Sequence, residues 1–192
     1  MKQALQKAVD RLPEVLVQYA PTMMRRVIAS MREQITKDGQ TENASYCALL
    51  LKVGEADLVR EFDAALREAI ASSRSPAGEP EAPVTVPSLM LELVDETQTV
   101  SASDFAASTA LFSSLSARAR SLDVEGLKKY NKDLFLAALM QAFAKARIEP
   151  KAMAELTPPA RRALDGELLK IYGKVDAVGR EPSPPPMAAS RG

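Results

Sequence analysis

Glu92, Asp95 and Glu96 close the apolar run Leu89-Met90-Leu91 and form the one carboxylate cluster whose spacing could hold Mg²⁺ or divide general acid and general base duties. Acids that end an apolar segment beside a linker also serve as ordinary surface groups. A carboxylate-dependent metal enzyme is therefore only the third of three readings. A second constellation is basic. Lys128, Lys129 and Lys132 surround Tyr130, with Arg118 and Arg120 before them and Arg161-Arg162 further on. Lysines and arginines gathered about an aromatic can neutralise phosphates, so Lys128, Lys129, Lys132, Arg161 and Arg162 are the candidate contacts for nucleic acid or a partner. No helix-turn-helix glycine turn, zinc-ligand set or aromatic RNA-binding motif accompanies them, and solvated helix ends are the plainer reading.

Histidine is absent from all 192 residues. With it go Ser-His-Asp and Cys-His nucleophilic arrangements, phosphohistidine transfer and nearly every common zinc site. The eight glycines are isolated, so no Gly-rich loop can cradle a phosphate. The single cysteine, Cys47, lies in the apolar run Tyr46 to Leu51 with no base to activate it, and reads as a buried structural thiol. No catalytic, cofactor-binding or metal residue is assigned, and neither enzymatic activity nor a cofactor is expected. The methionines fall mostly at core-facing spacings and are expected to pack.

These side chains must be positioned by helices. Hydrophobic residues make up 46% of the chain and aromatics 5%, and Ala, Leu, Glu, Lys and Arg are prominent. Those are the strong helix formers, and an all-α fold of one or two helical bundles follows. Leu5, Val9, Leu12, Leu16 and Tyr19 draw one apolar stripe, which Pro13 should bend or restart and Pro21 should end. A second helix is expected from Thr22 to Lys37. Thr41 can cap a third, and Gly54 should kink or break it before Leu58, Phe62, Leu66 and Ile70 resume the stripe. Further on, Ser101 or Ser103 should cap a helix ending near Ser121. Asn131 should cap another from Lys132 to Arg147, and Thr157 should cap a last helix with Pro158 at its first position.

Residues 72–88 contain Pro76, Pro80, Pro83 and Pro87 and almost no apolar content, which predicts an extended linker. It divides an N-terminal helical region, 1–71, from a C-terminal one, 89–178, and 179–192 is expected to be a disordered tail. The chain carries 25 basic and 25 acidic groups, unevenly spread. Residues 72–110 hold one basic and six acidic side chains, while residues 111–192 hold fourteen and nine. Those opposite charges would let the middle fold back on the C-terminal region. No signal peptide or membrane-spanning run is visible, so cytoplasmic residence without a membrane partner is expected.

The segments ENASYCALLLKVGEADLVREFDAALREAI, LMLELVDE and NKDLFLAALMQAFAKARIEP together resemble a large uncharacterised bacterial family often labelled thymidine phosphorylase, some members of which carry a C-terminal PilZ domain. The matching positions are Asn43, Tyr46 and Phe62; Leu91, Leu93, Val94, Asp95 and Glu96; and Asn131, Leu136 and Phe143. The chain departs from the pattern in lacking a proline soon after Asn131 and any PilZ-like region. It has no phosphate loop to support the phosphorylase label. The resemblance implies a helical protein of unknown function, with a regulatory role as one option, and assigns no functional residue. Taken together, the expected function is that of a non-catalytic bacterial interaction or regulatory protein whose partner is a protein, with homo-oligomerisation as a further option. Nucleic-acid binding through the basic C-terminal half is the alternative.

Overall fold

The computed structural model describes residues 1–38, 43–72 and 106–180, and within them it is all-α. The Thr41 cap, residues 73–88 of the linker, the Leu89–Glu96 segment with its three acids, the Ser101 and Ser103 caps and the tail from 181 lie outside the described residues. The helices are α1 (Lys2–Asp38), α2 (Ala44–Val53), α3 (Glu55–Ser72), α4 (Ala106–Ser121), α5 (Lys132–Lys145) and α6 (Pro150–Arg180), with a 3-10 turn at Leu127–Tyr130 before α5.

α1 runs unbroken for 37 residues, or about 55 Å, through both of its prolines. The expected end at Pro21 does not occur. Proline lacks the N–H that would bond the carbonyl four residues back, and for Pro21 that carbonyl belongs to Val17. Arg67 of α3 supplies the missing donor: its Nη2 lies 3.4 Å from the Val17 oxygen. On either side of Pro21, Leu16, Ala20, Met23, Met24, Val27 and Ile28 are all buried, so packing keeps the helix continuous through the lost bond.

α6 corrects a second expectation. It begins at Pro150 and carries Pro158 and Pro159 inside it. Thr157 is no cap; its buried hydroxyl donates to the Met153 carbonyl at 2.6 Å within the same helix. α6 also extends to Arg180, two residues past the expected end of the helical region at 178. Other expectations hold. Gly54 separates α2 from α3, and a Cβ there would come within 3.0 Å of the Leu50 carbonyl. Asn131 caps α5, its side chain accepting from the Asp133 N–H at 2.9 Å.

α4 and α5 both end in residues with left-handed backbone, Asp123 (φ 53°) and Arg147 (φ 57°). In each case the next N–H reaches back to the last turn, Val124 to Ala119 at 2.8 Å and Ile148 to Phe143 at 3.2 Å. This is the Schellman arrangement, made here without glycine.

The two helical regions share one core. α1 and α6 make the most extensive contact, α1 also packs on α3, α3 on α5, and α4 on α6. α1 and α6 run antiparallel: Gln34 meets Arg162, Tyr19 meets Glu167, and Leu5 lies against Gly179. α4 lies parallel to α6, with Asp165 accepting from the Ser108 N–H in its first turn, Phe112 tilted against Tyr172, and Arg118 paired with Asp176 at 2.8 Å. Gly179 lets Arg118 in, since a Cβ would fall 2.6 Å from its Nη2.

Candidate binding groove

The sequence-derived basic residues do not form one surface. Lys128 and Lys129 are exposed in the 3-10 turn and Lys132 opens α5, near the C-terminal half of α6, where the Tyr172 hydroxyl donates to the Tyr130 carbonyl at 2.8 Å. Arg161 and Arg162 lie about ten residues, some 15 Å, earlier on α6. Arg161 is only 3% exposed, so it is turned into the interior and off the solvent face. Arg162 is exposed and donates to Gln34 at 2.9 Å. Lys128 and Lys129 border a small hollow of about 360 Å³ together with Asp123 and Glu125, so its walls carry both signs of charge.

A larger concavity lies elsewhere. It is a groove of about 770 Å³ between the N-terminal half of α1 and the C-terminal half of α6. Its floor and walls hold Ala8, Leu12, Val15, Ile171, Val175 and Val178. Leu12, Ile171 and Val175 also belong to the core, whereas Val15 is 52% and Val178 42% exposed. Two large aliphatic side chains thus face solvent from opposite walls of one trough, the kind of surface that marks an interaction site.

The cations are Lys7, Arg11 and Arg26 from α1 and Lys170 and Lys174 from α6. None of the described lining residues is a carboxylate. Lys7, Arg11 and Lys174 form no ion pair with a described residue, whereas Arg26 and Lys170 share the buried Glu167. Glu167, 5% exposed, accepts from Lys170 at 2.5 Å and from the Tyr19 hydroxyl at 2.6 Å. Tyr19 in turn accepts from Arg26 at 2.9 Å, and the same guanidinium lies 5.7 Å from the ring centre. Partial burial, and then the Glu167 hydrogen bond and charge, push the Tyr19 hydroxyl above its usual range. It stays protonated and acts as a hydrogen-bonding strut between the two helices.

Two other features lie outside the groove lining. On α2, Tyr46, Leu49 and Val53 follow one another at helical spacing and are exposed, a shorter apolar stripe with Lys52 beside it. Beside it Cys47 is buried, with its sulfur 3.6 Å from a Glu155 oxygen whose partner oxygen takes Asn43 at 2.7 Å. Burial and then the Glu155 charge raise the thiol above its ordinary range, which disfavours the nucleophilic thiolate. Among the described residues there is no cluster of His, Cys, Asp and Glu that could hold a metal ion, and no helix is long and apolar enough to cross a membrane.

The groove is illegible in chain order because its walls are about 160 residues apart. The one local signal is that Ala4, Ala8 and Val15 form a second stripe on α1, beside the core stripe of Leu5, Val9, Leu12 and Leu16. No protein-family model, no curated protein and no solved structure matches this chain.

Proposed function

We propose that this chain is a non-catalytic helical interaction or regulatory protein that docks a partner protein in the α1–α6 groove. One observation carries the reading: Val15 and Val178 face solvent from opposite walls of a trough whose borders are cationic. Apolar side chains gain by leaving water, about 25 cal/mol for each Å² covered, and two rigid helices present them without a loop to order on binding. The resemblance to an uncharacterised bacterial family is part of the proposal.

The test is a photo-crosslinking amino acid placed at Val178 of the full chain, in the native host, beside the same probe at Leu49 on α2. The reading expects one dominant protein captured from Val178 and not from Leu49. Capture from Leu49 alone, or no capture above background at either position, contradicts it.

A further inference from the structure

Resting on that reading of the groove, we infer that its occupant is an acidic amphipathic helix of the partner. The first argument is charge. The whole chain balances at 25 basic and 25 acidic groups, so the five cations gathered here with no carboxylate among the described lining residues are a local excess, not a property of the molecule at large. Three of them, Lys7, Arg11 and Lys174, have no carboxylate partner among the described residues, and the other two share one buried acid. A ligand that brings carboxylates to this border neutralises charge that the described residues leave uncompensated.

The second argument is how the charge is distributed. Lys7 to Arg26 spans nineteen residues of α1, about 28 Å of wall. A fatty acid or other single-headed lipid would place one anion at one end. Cations spread along one wall, with two more a turn apart on the other, call for anions repeated along the length of the ligand. A nucleic-acid strand repeats its charge, but its phosphates would lie over Val15 and Val178 and leave the apolar floor unmatched. A helix with leucine-like residues on one face and glutamates on its flanks meets floor and borders together. The trough between two antiparallel helices also has the ridge-and-groove form that receives a third helix. Ala4 and Ala8, small residues on the α1 wall, let that helix approach closely.

The probe is a fluorescein-labelled synthetic helix of about sixteen residues, with leucines at i, i+3, i+4 and i+7 spacing and glutamates on both flanks. Its counterpart carries lysine in place of every glutamate. Titrated into the full chain and read by fluorescence anisotropy, the Glu helix should bind at least tenfold more tightly than the Lys helix, and less tightly as salt rises. The double variant K7E/K174E should weaken the Glu helix at least tenfold, and V178D should do the same while leaving the melting curve in place. Equal binding of the two helices, no binding of either, or binding that ignores both variants overturns the inference. So does preferential binding of phosphatidylglycerol vesicles or of a short oligonucleotide. A dimer in sedimentation that K174E dissolves would give the groove to a second copy and also overturn it. Specific capture at Val178 without Glu-helix binding would remove the acidic-helix inference and leave the docking function standing.

Discussion

Replacing Pro21 with alanine tests why α1 is a single helix. The substitution restores an N–H opposite the Val17 carbonyl, where Arg67 now donates at 3.4 Å. A proline in a helix interior costs about 3 kcal/mol relative to alanine. The Arg67 bond offsets part of that, and because Arg67 is half-exposed and the bond long, its share is about 0.5–1 kcal/mol. P21A should therefore stabilise the protein by about 2 kcal/mol. Arg67 also pairs with Asp63 at 2.9 Å one turn away, an exposed contact contributing about 0.3–0.5 kcal/mol. R67M should cost about 1 kcal/mol alone but only the Asp63 share in the P21A background, giving a coupling of about 0.5–1 kcal/mol. Urea denaturation followed by far-UV circular dichroism on the four proteins of this cycle measures it. A destabilised P21A, or an R67M cost that is the same in both backgrounds, would refute the account of α1.

Arg147 holds a left-handed backbone at the end of α5, so R147G should stabilise by about 1 kcal/mol in the same denaturation assay. G179A should destabilise by about 1–2 kcal/mol, because the added Cβ meets an Arg118 guanidinium already held by Asp176; R118M combined with G179A should cost less than the sum of the two. Burial, and secondarily the Asp133 charge, raise the Tyr172 hydroxyl well above its ordinary value of 10.0. The unfolded chain therefore loses this proton first as pH rises through 10.0, and stability should fall there by up to about 1.4 kcal/mol per pH unit for this group. Y172F should flatten that slope, leaving the smaller contribution of Tyr19, which is raised in the same direction, and should cost about 1 kcal/mol at neutral pH for the bond to Tyr130. Cys47 should stay unreactive towards a thiol reagent at pH 8 until denaturant unfolds the chain; rapid labelling of the native protein would contradict its burial beside Glu155.

The helices were legible in the sequence because their apolar stripes keep helical spacing, and Asn131 and Gly54 mark boundaries by chemistry that acts within a few residues. Pro21 and Thr157-Pro158 misled for the converse reason. A proline removes one backbone bond, and whether that ends a helix depends on partners far away in the chain: Arg67 for Val17, and the buried stripes on both sides. The groove was illegible on the same ground. Lys128 and Lys129 stand out because they are adjacent in the chain, whereas Lys7, Arg11 and Lys174 are dispersed and meet only when α1 and α6 pack antiparallel. Arg161 looked like surface charge beside Arg162, yet one step of 100° around α6 turns it inward.

The most direct test of the docking function is quantitative co-purification of the full chain from its native host, comparing the unaltered protein with V15D. Val15 is half-exposed, so aspartate there should leave the melting temperature within about 2 °C of the original, as surface substitutions usually do. The groove account predicts that V15D loses its principal protein partner at least tenfold while remaining folded. A partner retained in full by folded V15D would contradict it.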